Sequence, residues 1–188
     1  NEGIVTGEST YTCNQKMKFY DITVGCTGWH NDIAVAQALR VSCNIYFYEL
    51  GRRLGIDKIT EYASLYGYGQ HTGIETGDSA GQIGNPETFN ELGIDWTVGQ
   101  VLQASIGQSE TAVTPLQMAT VASTIANHGV RYKTHLVDSI YDYSMDNQIE
   151  QYEPQVADKI NLNYDYVYDY VINGMVQASE NNFPAEYS

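Results

Sequence analysis

Positive charge is scarce in this chain. Nine Lys plus Arg stand against 23 Asp plus Glu, a net charge of −14 in 188 residues. Nucleic acid and anionic membrane surfaces both need clustered cations, so this balance excludes them as partners. Long apolar runs are missing as well. None approaches the ~20 residues that a membrane span requires, and the sequence reads as having no secretory leader. Cysteine is limited to three copies. The four histidines, His30, His71, His128 and His135, show no metal-ligand spacing, so neither a metal nor a cofactor is expected. The chain opens on Asn1-Glu2-Gly3 without an initiator Met, which gives it the look of a piece of something longer.

Tyrosine, by contrast, is abundant, with 16 copies. Tyr joins apolar area to a polar tip and suits broad, half-wet surfaces. At this length roughly 70% of the unfolded chain's surface can be buried, enough for a real core. Residues 1–30 alternate in the manner of strands and read as a small β-hairpin excursion, with Tyr11-Thr12-Cys13 and Phe19 to Gly25 as its arms. Cys13 and Cys26 flank that segment. They can pair as a disulfide in an oxidising compartment or remain two free thiols. Asp32 is placed to cap a helix over about 33–41, and a second helix runs on to Leu54, before Gly55.

Helical signals continue at Lys58 to Tyr66, Pro86 to Leu92 and Asp95 to Gln103, with a Gly-rich loop over 70–95. Thr114-Pro115 is a strong helix start, with Thr as N-cap and Pro at the first position, and Asn127-His128-Gly129 closes that helix. Residues 130–162 read as β, with strands at Leu136-Val137 and Ile140-Tyr141 and a turn at Met145-Asp146-Asn147. Tyr164 to Ala178 reads as a last helix, followed by a frayed polar tail over 179–188.

Ser42-Cys43-Asn44 interrupts an otherwise apolar run at the joint of the first two helices. Buried polar groups cost stability unless they are paired. Capping offers one explanation, with Ser42 or Asn44 accepting a backbone N–H at the start of the second helix. Chemistry offers the other. Cys43 between them reads as a small buried hydrophobe. His30, beside Trp29, reads as a packed side chain rather than a base.

The order of motifs decides between the two. Ser42-Cys43-Asn44 is followed by Tyr66-Gly67-Tyr68-Gly69-Gln70-x-Thr72-Gly73, then Ser105-Ile106-Gly107-Gln108, then Thr114-Pro115-Leu116-Gln117-Met118-Ala119, then Ile125-Ala126-Asn127-x-Gly129 and His135-Leu136-Val137. This run resembles the transpeptidase domain of penicillin-binding proteins, in the class B, monofunctional form, over residues 1–178. The resemblance implies a mainly α chain with small β-hairpins, the helical middle of an α/β transpeptidase fold. It also implies one partial domain: hairpin 1–30, helical region 31–129, β-rich segment 130–162, helix 163–178 and tail 179–188.

The family uses three motifs, and this chain carries one of them. No lysine has Ser three residues before it, since those positions hold Cys13, Gln15, Gly55, Val130 and Val156, and no Lys-Ser/Thr-Gly occurs. By resemblance, Ser42 relays protons and Asn44 contacts the amide of a stem peptide or penicillin. Gln108 is a candidate for lining the cleft, with a tight turn as its plainer reading. The implied activity is serine acyl transfer by a peptidoglycan D,D-transpeptidase on the extracytoplasmic face of the cell membrane. Its implied partners are stem peptides, β-lactams and the flanking parts of the same domain. The chain by itself is expected to be inactive. The alternatives are a non-catalytic sensor module, or a β-lactamase or D,D-carboxypeptidase relative.

Overall fold

The structure, a computed structural model, describes residues 1–182. The hairpin excursion is a nested pair. β2 (Lys16–Phe19) and β3 (Ile22–Gly25) form a hairpin turned at Tyr20-Asp21, inside the antiparallel pairing of β1 (Tyr11–Cys13) with β4 (Asn31–Ile33). Asp32 therefore lies in a strand and caps nothing, so the helical region begins later than residue 31. α1 (Val35–Arg40) starts at Ala34, whose N–H is taken by the Gln37 side chain at 3.3 Å. α2 (Asn44–Leu54) ends at Gly55, and α3 (Ile56–Leu65) follows immediately.

The core lies where the nested hairpins meet α1 and α2. Cys13, Cys26, Ile33, Ala38, Cys43, Ile45, Tyr46, Tyr48 and Leu102 form one buried cluster. The apolar stripe of α2 (Ile45, Tyr46, Tyr48) supplies its centre. α5 (Gln100–Ser105) packs along α2, and a Cβ at Gly51 would fall 2.2 Å from the Ser105 Cβ. Only glycine allows the helices to approach that closely. α7 (Tyr166–Asn182) closes over α1, with Gly174 against Leu39 and Ala36. It begins two residues after the expected start and continues through Asn182, where a frayed tail was expected; residues 183–188 lie outside the described part.

The remaining helices follow their caps. Asn85 Oδ1 accepts from Thr88 N–H at 2.9 Å and starts α4 (Pro86–Glu91). Thr114 Oγ1 accepts from Gln117 N–H at 3.1 Å and starts α6 (Pro115–Ala126). The 130–162 segment holds β5 (Val130–Tyr132) paired with β8 (Val156–Lys159), and β6 (Ser139–Tyr141) paired with β7 (Gln148–Gln151) around the expected turn. Leu136-Val137 is not a strand. Its two N–H groups donate to the Glu75 carboxylate at 2.9 and 3.3 Å, which holds the segment as a bent connection.

One side chain ties the Gly-rich loop to the helices. Gln117 is 2% exposed. Its Oε1 accepts from Thr114 N–H at 2.8 Å, and its Nε2 donates to the carbonyls of Gln70 and Ala80 at 2.7 and 2.8 Å. Replacing it with a shape-matched apolar side chain would strand three backbone groups, each worth about 1–3 kcal/mol when buried unpaired. Gln117→Leu is expected to destabilise the chain by about 3 kcal/mol, seen as a lower denaturant midpoint at unchanged slope.

The same loop is anchored by Asp78, which accepts from Thr72 N–H at 2.9 Å and faces His71 at 3.0 Å. The Thr72 N–H, then His71, hold the Asp78 carboxyl below its ordinary value. A depressed carboxylate contributes stability above its unfolded pKa and loses it as pH falls through the folded value. Hydrogen exchange at Thr72 N–H is therefore expected to lose protection below about pH 4 and to be flat above pH 5.

Candidate active-site wall and an adjoining thiol cluster

The break at Ser42 belongs to the end of α1, not to the start of α2. Cys43 N–H donates to Ala38 C=O at 2.9 Å and Ser42 N–H to Leu39 C=O at 3.2 Å. Those two bonds define a Schellman ending, with Ser42 at the left-handed position. Its φ is +51°. Cys43 is the N-cap of α2 and makes no side-chain capping bond. Capping by Ser42 or Asn44 is thus ruled out: Ser42 sits one residue before the N-cap, and Asn44 is already the first helical residue.

The same ending recurs at α3, α4, α5 and α6. The left-handed residues there are Gly67, Gly93, Gly107 and His128, with φ of 96°, 69°, 74° and 50°. Glycine adopts this conformation freely, whereas a side chain there costs about 1–2 kcal/mol. Ser42 carries that cost with its side chain exposed to solvent. Strain of this kind gathers at functional sites. Asn44 is half-buried on the same turn, and its Nδ2 reaches the Gly25 carbonyl only at 3.5 Å, the limit of a hydrogen bond. The turn thus presents a free hydroxyl and a loosely held amide together, the two groups needed to relay a proton and grip a peptide bond.

Gln108 lies in the turn after α5. It follows the end of α5, where Ser105 meets Gly51 in the second half of α2. Seven residues of helix separate Gly51 from Asn44, roughly 10 Å along the axis. Gln108 is exposed there, and its N–H closes the α5 ending on Gln103 C=O at 3.0 Å. These contacts favour its plainer reading as part of a turn.

The cysteines gather with His30 in one group. Cys13 and Cys26 do meet, but as free thiols, joined by Cys43. His30 completes the group, and one donor atom from each of the four lies within 4.8 Å of the others. Cys26 Sγ is 3.9 Å from Cys43 Sγ and 3.6 Å from His30 Nδ1. Trp29 is exposed and donates to Asn31 Oδ1 at 3.0 Å, while His30 is half-buried beside the thiols. Its ring lies instead over Gly28, where a Cβ would come within 2.6 Å of Nε2.

Three thiols and one imidazole are the donor set of a tetrahedral, thiophilic cation. Burial opposes the Cys26 thiolate, but N–H groups of Gly28, Ile45 and Asn44 outweigh it and hold that thiol below its ordinary pKa. Burial pushes the Cys43 thiol up to about 12, against a bond from Tyr46 N–H. The spacing Cys-x12-Cys-x3-His-x12-Cys was present in the sequence all along. Weighing the histidines apart from the cysteines hid it.

The comparisons with known proteins agree with this architecture. A family model described as the penicillin binding protein transpeptidase domain matches residues 1–183. The peptidoglycan D,D-transpeptidase MrdA of Acinetobacter baumannii is 34% identical over 110 residues, which cover 57% of this chain and 16% of that protein. MrdA of Escherichia coli K12 is 28% identical over 134 residues, covering 69% of this chain and 21% of that protein. The chain thus spans about a fifth or less of the curated relatives it matches. Among solved structures, PBP2 of Pseudomonas aeruginosa superposes with a TM-score of 0.81 at 25% identity, covering 95% of this chain and 41% of that one.

The strain at Ser42 has a direct test. Ser42→Gly is expected to raise stability by about 0.5–1 kcal/mol, the strain released less glycine's added unfolded-state entropy. Ser42→Ala keeps the strain and is expected to leave the melting temperature nearly unchanged. Paired thermal melts of the two variants read the difference.

Proposed function

The chain belongs to the family of penicillin-binding protein transpeptidase domains, and on that premise we propose that the complete protein is a peptidoglycan D,D-transpeptidase. It cross-links stem peptides by serine acyl transfer and takes β-lactams at the same site. Acyl transfer needs a nucleophile, a base, a proton donor for the leaving amine and dipoles at the developing oxyanion. This chain supplies the proton relay and one side of the substrate cleft. Ser42 accepts a proton through its hydroxyl oxygen while donating its own, and passes charge between the activating lysine and the leaving nitrogen. Asn44 exchanges its weak bond to Gly25 for the amide of the acyl donor.

The observation that carries this reading is the Ser42 hydroxyl, exposed at a left-handed turn where three of the other four such endings hold glycine. On this reading the nucleophile and the carboxylate-reading strand come from other parts of the domain. Apolar side chains stand in solvent at Leu136, Ile149 and Val176, 63%, 67% and 50% exposed, and suit contact with those parts. No helix among the described residues is long and apolar enough to cross a membrane. The substrate lies in the cell wall, so the domain works on the extracytoplasmic side.

Two measurements test the proposal. In the complete protein, Ser42→Ala is expected to slow acylation by a fluorescent penicillin by about 10²–10⁴-fold, the usual worth of positioned proton transfer. Unchanged acylation in that variant would leave Ser42 with only a backbone role. The 188-residue chain alone is expected to show no acyl adduct by mass spectrometry, and a stoichiometric adduct would overturn the assignment of roles.

A further inference from the structure

The β2–β3 hairpin ends in a residue that packing does not explain. Met17, Phe19, Ile22 and Val24 pack against the core, and a Cβ at Gly99 would come within 2.7 Å of Ile22 Cδ1, so the hairpin is fixed from behind. Tyr20 stays out of that packing and stands 71% exposed. Its φ is +53°. It holds the first central position of a two-residue turn, where glycine supplies a positive φ without strain. A bulky side chain there is strained, and strain of this kind persists where a side chain serves function.

Charge marks the same place. Met17, Lys18, Phe19, Tyr20, Glu49 and Arg52 line an open groove of about 400 Å³. Four of the chain's nine cations flank it, Lys16 and Lys18 on β2 and Arg52 and Arg53 on α2, against the carboxylates of Asp21 and Glu49. Glu49 is shared: Arg52 meets it through two bonds of 2.6 and 2.9 Å, and Arg53 Nε through one of 2.7 Å. Among the described residues Lys16 and Lys18 make no ion pair. A local excess of positive charge in a chain of net −14 favours an anionic ligand here. The β6–β7 tip offers a contrast. Met145 there has a φ of +64° and is 69% exposed, but it stands between Asp142 and Asp146 in the chain and has no cation beside it.

The groove is continuous with the wall. The rung Lys16–Gly25 lies at Asn44, whose amide reaches the Gly25 carbonyl, and the rung Phe19–Ile22 closes the hairpin three residues farther on, roughly 10 Å. That is about three residues of extended peptide. A stem peptide gripped at Asn44 therefore brings the sugar on its other end to the hairpin tip. We propose that the Tyr20 tip and the groove between Lys18 and Arg52 form a subsite for an acidic saccharide, the amino-sugar end of the stem-peptide substrate.

Each part has its own task. The C–H face of a sugar ring is apolar and lies on the Tyr20 ring, while the phenol hydroxyl meets the sugar's own hydroxyls. Lys18 supplies a mobile ammonium to the ligand's carboxylates. Arg52 leaves Glu49 to Arg53 and takes a carboxylate as a bidentate pair, so no charge on α2 is stranded. Phe19, edge-on to Tyr20 with ring centroids 4.8 Å apart, holds the Tyr20 ring in place from the core side. The identity of the ligand rests on the transpeptidase reading; the affinity for an acidic saccharide does not.

The test is titration calorimetry on the complete protein with three probes: a muramyl disaccharide pentapeptide, the same pentapeptide without sugar, and uncharged chitotetraose. The sugar-bearing pentapeptide is expected to bind about tenfold tighter than the bare one and to weaken with added salt. Chitotetraose is expected to bind more weakly than the sugar-bearing pentapeptide and without salt dependence. Tyr20→Gly removes the ring and the strain together. It is expected to weaken the sugar-bearing probe about tenfold while the melting temperature holds or rises; a purely structural Tyr20 would lower the melting temperature instead. Lys18→Gln is expected to weaken the same probe a few-fold and to flatten its salt dependence. Tyr143→Ala removes a fully exposed tyrosine from the other hairpin and is expected to bind as the unaltered protein does. Equal affinity for the sugar-bearing and bare pentapeptides, or undiminished affinity in Tyr20→Gly, would overturn the subsite. Chitotetraose bound as tightly as the sugar-bearing pentapeptide would overturn the part given to the cations. A protein that binds the sugar-bearing probe through Tyr20 yet is not acylated by a fluorescent penicillin would count against the transpeptidase reading alone.

Discussion

The hydrogen bond from Cys43 N–H to Ala38 C=O fixes everything near the wall. It ends α1, turns the chain through a left-handed residue and delivers the first turn of α2 in one step. Both partners of that bond are fully buried. Because the turn is locked from below by packing, Ser42 can hold a conformation its side chain disfavours. The energy comes from the core and is felt at the surface. A short polar side chain thereby gains a defined direction without being buried, as the proposed proton relay requires.

Much of the fold was legible because its signals are local. Thr114-Pro115 announced α6, Gly55 announced the end of α2, and Met145-Asp146-Asn147 announced the β6–β7 turn, each through the conformational preferences of a few adjacent residues. The errors came where distant parts decide. Asp32 has the chemistry of a cap, but pairing with β1 claimed it for a strand. Leu136-Val137 has strand composition, yet the Glu75 carboxylate, 61 residues away from Leu136, took its N–H groups.

The wall itself was legible as a motif and misread as a geometry. Nothing in Ser42-Cys43-Asn44 alone distinguishes the end of one helix from the beginning of the next. The distinction rests on which carbonyl each N–H finds. The thiol cluster left only a spacing in the sequence, since its members come from two hairpins and a helix start. No single element contains two of its donors.

Order along the chain gives the nested hairpins a kinetic meaning. β2 and β3 meet across the two residues Tyr20-Asp21, a closure that takes microseconds. That closure shortens the loop between β1 and β4, so their pairing follows at small entropic expense. Cys13, Cys26 and His30 are then already neighbours, and Cys43 arrives as α1 and α2 settle. Most of the wall is assembled from contacts within residues 11–48, with Leu102 joining from α5, while α7 must return from more than a hundred residues away to cover α1. Low contact order favours early formation, so the turn at Ser42 takes shape before the helix that covers α1.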